Sequence, residues 1–93
     1  IDADRRHVVV RGQPVSLTRQ EFDVLRLLAA RRGVVFSRRA LLAHAWPRDV
    51  TVTGRTVDTV MSRLRRKIEV DPAAPVLLLT AWGVGYKFAD GLD

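Results

Sequence analysis

The stretch RTVDTVMSRLRRKIE, residues 55–69, contains the side chains best suited to chemistry in this sequence. At about 100° per residue, four of its apolar side chains share one side of a helix, and they are Val57, Met61, Leu64 and Ile68. The opposite side carries guanidinium and hydroxyl groups, from Arg55, Thr59, Ser62 and Arg66, and is flanked by Arg63 and Lys67. Such groups bind phosphates and base edges when a helix lies in a DNA major groove. The pattern therefore predicts a helix that buries one side and offers the other to an anionic ligand.

The composition of the chain limits the class of protein to which it belongs. Its 93 residues, 47% hydrophobic and 28% charged, fit one small soluble domain. Sixteen basic residues, most of them arginine, stand against ten acidic ones and leave a formal net charge of +6. Arginine suits phosphate and guanine recognition, but an abundance of arginine also follows from a GC-rich genome. The charge alone therefore leaves nucleic-acid binding open.

Several classes of function find no support in the residues. The chain has no cysteine, which excludes disulfides, thiolate catalysis and zinc fingers. His7 and His44 fall in different elements and the carboxylates lack ligand spacing, so we expect neither an enzyme nor a metal or other cofactor. No apolar run approaches the roughly 18 residues of a membrane span. Because the chain opens on Ile1 rather than Met, we expect residues 1–93 to be one domain of a longer protein.

The elements before the basic helix are predicted from turn and capping signals. Residues 8–10 and 15–17 flank a turn that contains Gly and Pro, which predicts a small antiparallel hairpin or meander. Thr18 and Glu21 form a capping box for a first helix that ends at Gly33. After an extended link, Ser37 caps a second helix of about two turns that ends at Trp46.

The elements around and after the basic helix complete the order. Residues 47–54 have no helical periodicity and predict an exposed loop. Prolines end the basic helix after Glu69, and residues 76–80 and 86–88 predict two strands joined by a Gly-rich turn. The order predicts an α+β winged helix-turn-helix: a small N-terminal antiparallel sheet, three helices and a C-terminal β-hairpin wing.

Four segments resemble the C-terminal effector domain of the OmpR/PhoB family of bacterial two-component response regulators. They are LTRQEFDVLRLLA at 17–29, VFSRRALLAHAW at 35–46, GRTVDTVMSRLRRKIE at 54–69 and TAWGVGYKF at 80–88. The resemblance covers nearly the whole chain and implies a fold that begins with a four-stranded antiparallel sheet, here without its first strand. It also implies that the third helix, residues 55–69, enters the major groove, while the wing, residues 76–88, lies at the adjacent minor groove or backbone.

The resemblance implies roles for individual side chains. Those expected near base edges or the groove floor are Thr59, Val60, Ser62 and Arg63, and those expected near phosphates are Arg55, Thr56, Arg65 and Arg66. Arg63 is the first candidate for base reading, because a bidentate arginine–guanine contact discriminates by about 1 to 3 kcal/mol. Val60 stands where the family often has His, Tyr or Gln, so readout there should be apolar. Lys87 is a further candidate for a phosphate contact.

Other positions keep two interpretations. Trp46 either presents its indole N–H to a phosphate, as its family position implies, or only packs in the core. Trp82 replaces an arginine that many members have in the wing, so it packs either against DNA sugar and backbone or on its own hairpin. Asp58 would repel phosphate, and we expect it to complement the helix N-terminus or to pair with an arginine. The resemblance implies a loop that contacts RNA polymerase, and its residues are Arg48, Asp49, Val50, Thr51, Val52 and Thr53.

These expectations define one function hypothesis and its rivals. The chain should be the sequence-specific, double-stranded DNA-binding output domain of a phosphorelay, cytoplasmic and downstream of a receiver domain and a sensor histidine kinase. By resemblance it should bind tandem direct half-sites and be a monomer or weak dimer away from DNA. The rival hypotheses are a winged-helix protein-interaction module, a non-specific nucleic-acid binder, and an RNA binder, which the narrow A-form major groove disfavours.

Overall fold

Two small sheets and three helices make up the computed structural model, which describes residues 7–49 and 51–90. The strands are β1 (His7–Val10), β2 (Gln13–Ser16), β3 (Phe36–Ser37), β4 (Leu78–Ala81) and β5 (Gly85–Phe88). The helices are α1 (Arg19–Ala30), α2 (Arg38–Ala45) and α3 (Gly54–Ile68). This order confirms the predicted α+β winged helix-turn-helix.

The predicted N-terminal hairpin is present, but its turn is two residues shorter than predicted, because Gln13 and Pro14 belong to β2. β1 pairs antiparallel with β2, and Arg11 and Gly12 join them with φ angles of 50° and 76°. Two residues with positive φ form the tight turn whose twist matches that of the flanking strands. The resemblance implies a four-stranded sheet, and the described residues contain two of its strands. Residues 1–6, on which part of that expectation falls, lie outside the described residues.

Side-chain caps begin the first two helices where the sequence predicts. The N–H of Glu21 donates to Thr18 Oγ1 at 3.2 Å and the N–H of Thr18 donates to Glu21 Oε1 at 3.0 Å, which completes the capping box. The Ser37 Oγ accepts a hydrogen bond from the N–H of Ala40 at 3.0 Å. α3 begins and ends one residue before the predicted bounds. Local capping signals therefore set the starts of α1 and α2.

The second sheet contains a strand that the sequence did not predict. Its order is β3-β5-β4, with Phe36 opposite Tyr86 and Ser37 opposite Gly85. A Cβ at Gly85 would lie 2.0 Å from the carbonyl oxygen of Phe36, so glycine permits this close approach. Two residues are too few to show the alternation by which strands are recognised. β3 thus ties the wing to the start of α2.

One core joins the three helices to the sheets. Its buried apolar side chains are Val8, Phe22, Val24, Leu25, Leu28, Leu41, Val57, Val60, Met61, Leu64, Ile68, Leu78 and Tyr86. Five of these come from α3, more than from any other element. Because burial of each large apolar side chain contributes about 1.5 to 3 kcal/mol, the core anchors α3 firmly and fixes which side of it faces solvent.

Candidate nucleic-acid interface

The solvent-facing side of α3 is basic and open. Its exposed polar and basic side chains are Arg55, Thr59, Ser62, Arg63 and Arg66. Among the described residues, no acidic side chain forms a salt bridge with these arginines. Their guanidinium groups therefore keep their hydrogen-bonding capacity for a ligand. The structure brings together the residues that the sequence predicted for this face, apart from Val60, Arg65 and Lys67.

Val60 is the first exception. Its side chain is 6% exposed and lies in the core beside Val57 and Met61. Since Val60 is three residues from Val57 and four from Leu64, it belongs to the apolar side of the helix. The predictions that Val60 reaches the groove floor and provides an apolar readout there are wrong, because the side chain points into the domain.

Arg65 is the second exception. Its Nε and Nη2 donate to the carbonyl oxygen of Leu78 at 3.0 and 2.9 Å, and Nη2 also donates to Thr80 Oγ1 at 2.9 Å. The guanidinium carbon lies 5.5 Å from the centre of the Tyr86 ring. Much of the donor capacity of this arginine is thus engaged within the domain. The prediction that Arg65 faces a ligand as a phosphate clamp is therefore corrected: it binds the wing.

Asp58 has the structural role expected of an acidic residue on this helix. Its Oδ1 accepts a hydrogen bond from the hydroxyl of Tyr86 at 2.5 Å, and its Oδ2 lies 2.9 Å from Nη2 of Arg38. Burial raises the pKa of Tyr86, and the hydrogen bond to Asp58 raises it further. The predicted pairing with an arginine is confirmed, although neither Arg38 nor Tyr86 was foreseen as a partner.

Lys67 also turns away from the open face. Its ammonium group lies 2.5 Å from Oε1 of Glu21, a buried carboxylate on α1 that also accepts from the N–H of Thr18. Burial acts to raise the pKa of Glu21, but the hydrogen bonds from Lys67 and Thr18 outweigh it and lower the pKa. Lys67 therefore joins α3 to α1.

The wing ends in an exposed aromatic side chain. Trp82 is 89% exposed and Val84 is 61% exposed, on either side of Gly83, whose φ is 77°. The N–H of Val84 donates to the carbonyl oxygen of Ala81 at 2.9 Å and closes the turn. The interpretation that Trp82 packs on its own hairpin is wrong, because nearly all of its surface is open to solvent.

A basic cavity lies between the wing and the start of α2. It has a volume of about 540 Å³, and Arg38, Arg39 and Arg65 line it together with residues of β4, β5 and the turn between them. Trp82 and Val84 line the same cavity. Cationic and apolar side chains thus share one surface, a combination that suits a ligand with both charged phosphates and apolar sugar faces.

Comparison with known proteins decides the family. The family model described as "Transcriptional regulatory protein, C terminal" matches residues 12–88. The chain belongs to this family. Response regulator DrrB of Thermotoga maritima, an OmpR/PhoB homologue, superposes with a TM-score of 0.88 at 42% identity, over 97% of this chain and 41% of DrrB. The resemblance to OmpR/PhoB effector domains is confirmed.

Two further relatives are a longer protein and a DNA-binding domain of similar length. The sensory transduction protein RegX3 of Mycolicibacterium smegmatis is 42% identical over 87 residues, which are 94% of this chain and 38% of RegX3. The DNA-binding domain of Klebsiella pneumoniae RstA, solved in complex with the RstA box, has a TM-score of 0.84 at 35% identity, over 96% of this chain and 88% of that one. The chain therefore spans about two-fifths of the lengths of RegX3 and DrrB.

In this family, α3 is the recognition helix and β4–β5 is the wing, and the remaining predicted residues lie around them. Trp46 is half-buried and packs against the core, which supports its packing role, and Lys87 is half-buried opposite Leu79. Thr56 is half-buried in the first turn of the helix, where its Oγ1 accepts from the N–H of Thr53 at 3.4 Å. Contacts of these three residues with a ligand stay predictions.

The loop between α2 and α3 is exposed, as its composition predicts. Arg48, Asp49, Thr51 and Thr53 are exposed and Val52 is half-buried, while Val50 lies outside the described residues. Asp49 Oδ1 accepts from the N–H of Thr51 at 2.9 Å and from its hydroxyl at 2.5 Å, and these hydrogen bonds lower the pKa of Asp49. The loop thus has a local turn and presents charged side chains to solvent.

Metal-binding clusters and membrane-spanning helices are absent from the described ranges. Over residues 7–49 and 51–90, no three His, Cys, Asp or Glu side chains are grouped as a metal site would require. Within the same ranges, no helix has the length and apolar character needed to span a membrane.

Proposed function

We propose that this domain binds double-stranded DNA sequence-specifically and regulates transcription as the output domain of a response regulator. One observation carries the proposal: α3 buries five apolar side chains and leaves Arg55, Arg63 and Arg66 open to solvent on its other side. A helix held in this way can enter a major groove with its guanidinium groups toward the DNA. The complex of the similar RstA domain with the RstA box supports the same use here.

The side chains divide by the part of DNA that they would contact. Arg63 would read a guanine through a bidentate contact, and the hydroxyl of Ser62 would accept or donate near a base edge. The hydroxyl of Thr59 donates to the carbonyl oxygen of Arg55 at 3.1 Å, so it would only accept there. Arg55 and Arg66 would bind phosphates, with Thr56 beside them at the start of the helix. In the wing, Trp82 would pack against sugar and backbone, and Lys87 and the indole of Trp46 remain candidates for phosphates.

The test is a selection followed by a comparison of affinities. Duplexes bound from a random pool would give the preferred site, the half-site spacing and the symmetry, for which we expect tandem direct repeats. At matched salt, the selected site should bind at least about 10³-fold more tightly than random duplex, and the affinity should fall steeply with salt. A ratio near one would instead indicate a non-specific binder.

Competition measurements separate DNA binding from RNA binding and from protein binding. A duplex RNA of the selected sequence should compete poorly, because its major groove is too narrow for α3. A domain that binds no duplex but binds an acidic protein would instead be a protein-interaction module. We propose no catalytic activity for the domain.

The proposal includes the longer protein to which this domain would belong. The similarity to RegX3 and to the response regulator DrrB, which are both much longer than this chain, supports a preceding receiver domain and a sensor histidine kinase. We propose a cytoplasmic location for the same protein. The isolated domain would be a monomer or weak dimer away from DNA.

The exposed loop, residues 48–53, would contact RNA polymerase. Arg48→Glu should reduce retention of polymerase on DNA that carries the domain, without a comparable loss of DNA binding. Arg26→Glu makes the same charge change at an exposed position of α1 and serves as the matched control. Equal effects of the two variants would contradict this role for the loop.

A further inference from the structure

We infer that Arg65 is a positioning residue that fixes the wing relative to the recognition helix, so that the two contact DNA as one rigid unit. The inference rests on the proposed DNA-binding function and assigns different roles to the arginines of α3. Arg65 would act on DNA only through the wing, whereas its exposed neighbour Arg66 would touch a phosphate.

Arg65 connects the recognition helix to both strands of the wing. Its guanidinium group donates twice to the carbonyl oxygen of Leu78 and once to Thr80 Oγ1, which are both on β4. It also lies over the ring of Tyr86, which is on β5. A planar fork with several donors restricts orientation more than a single hydrogen bond does. Arg65 therefore defines both the distance and the angle between α3 and β4.

A second link holds the wing at another point along the same helix. The hydroxyl of Tyr86 donates to Asp58, and Asp58 pairs with Arg38 on α2. Asp58 and Arg65 are seven residues apart, which is about 10.5 Å along a helix. Two attachments at this separation restrain rotation of the wing about either one. Together they also explain the presence of an acidic residue on a basic helix.

The wing tip, residues 82–84, needs such restraint because little else holds it. Trp82, Gly83 and Val84 are exposed, and the third strand of the sheet, β3, has two residues. A two-stranded hairpin is marginally stable by itself in water. Displacement of the wing base would move the indole of Trp82 away from its contact, and a misplacement of about 1 Å is enough to weaken a positioned contact.

A double-mutant cycle on DNA binding tests the inference. The variants are Arg65→Met, Trp82→Ala and the double variant, measured on the selected duplex, with Arg65→Lys to retain the charge. Each single variant should weaken binding about tenfold, and Trp82→Ala should add less than about twofold once Arg65 is Met, because the contact is already lost. Arg65→Lys should resemble Arg65→Met, since an ammonium group cannot reproduce the fork.

The salt dependence distinguishes positioning from phosphate binding. Loss of a phosphate contact makes the negative slope of log K against log salt shallower by about 0.9, and Arg66→Met should show that change. The effects of Arg66→Met and Trp82→Ala on the binding free energy should be additive. Arg65→Met should change the slope by less than about 0.3, because it removes no phosphate contact.

Several results would overturn the inference. Additive effects of Arg65→Met and Trp82→Ala would contradict it, and so would an unchanged affinity in Trp82→Ala. A slope of log K against log salt that becomes shallower in Arg65→Met but not in Arg65→Lys would show that Arg65 binds a phosphate. Thermal melts report folding, and if Arg65→Met does not fold, Thr80→Val, which removes the hydroxyl that accepts a hydrogen bond from Arg65, takes its place in the cycle. If the unmodified domain prefers no duplex, the proposed function fails; if it binds its selected site and the cycle is additive, only this inference fails.

Discussion

At the scale of residues, exposure and hydrogen bonding separate side chains that the sequence makes look alike. Arg65 and Arg66 are adjacent and carry the same charge, but about 100° of rotation between them turns one toward the wing and leaves the other in solvent. Lys67 is in turn drawn to Glu21. The charge that α3 leaves unengaged toward solvent is therefore smaller than its count of basic residues suggests, and it is concentrated at Arg55, Arg63 and Arg66.

Arg63 is expected to determine sequence preference rather than overall affinity. Arg63→Ala should reduce discrimination at one base pair by about 1 to 3 kcal/mol, because a bidentate contact to guanine is lost. The measurement is the affinity for the selected site and for single-base-pair variants of it. Arg66→Ala, as the control, should weaken all sites by a similar factor. Uniform weakening in Arg63→Ala would show that this residue does not read a base.

Trp82 is expected to contribute affinity that salt does not screen. An indole packed on sugar releases no condensed counterions, so Trp82→Ala should weaken binding and leave the slope of log K against log salt unchanged. Trp82→Arg restores the side chain that many family members have there and should steepen the slope by about 0.9. Titrations across a salt series measure both. Identical binding of Trp82→Ala and the unmodified domain at every salt concentration would contradict a wing contact.

At the scale of elements, the sequence predicted what local signals determine. Thr18 with Glu21, Ser37 and the turn at Arg11-Gly12 act over a few residues, so the helix starts and the hairpin were confirmed. The apolar side of α3 was predicted, apart from Val60, which was assigned to the outward face because of a family position rather than its spacing from Val57.

Contacts between distant segments were not predictable in this way. β3 forms because Gly85 lets Phe36 approach β5, and Arg65 is engaged because the carbonyl oxygen of Leu78 accepts its hydrogen bonds. The periodicity of the sequence indicates neither the pairing of β3 with β5 nor the contact of Arg65 with β4. The wing also starts at Leu78, two residues later than predicted, because the carboxylate of Glu69 accepts the N–H groups of residues 76–78.

Glu69 is expected to hold the start of the wing to the end of the recognition helix. It is buried, and its two oxygens accept from three successive backbone N–H groups. Glu69→Gln should lower the free energy of unfolding by about 1.5 to 3 kcal/mol, because the charge is lost and an amide NH₂ faces N–H donors. Urea denaturation measures this change. Asp71→Asn, at an exposed position, is the control and should stay within about 0.5 kcal/mol of the unmodified domain.

At the scale of the whole molecule, an ion pair between Glu21 and Lys67 joins the first helix to the recognition helix. Glu21 and Lys67 are 46 residues apart in sequence, and the same carboxylate also completes the cap of α1. A buried carboxylate requires its partners, since removal of either would leave an unpaired charge or donor. The pair therefore couples the folding of α1 to that of α3 and makes global stability depend on pH.

The direction of that dependence follows from the lowered pKa of Glu21. A carboxyl group with a lower pKa in the folded than in the unfolded state contributes stability above its unfolded value, here about 4.5, and loses it as the pH falls through the folded value. Glu21→Gln should therefore be less stable than the unmodified domain at pH 7, and the difference should narrow as the pH falls below 4.5. Urea denaturation across this pH range measures the difference, and Asp23→Asn, on the same helix and 3.9 Å from Arg19, is the matched control. A difference that stays constant from pH 7 to acid would mean that the charge of Glu21 does not stabilise the fold.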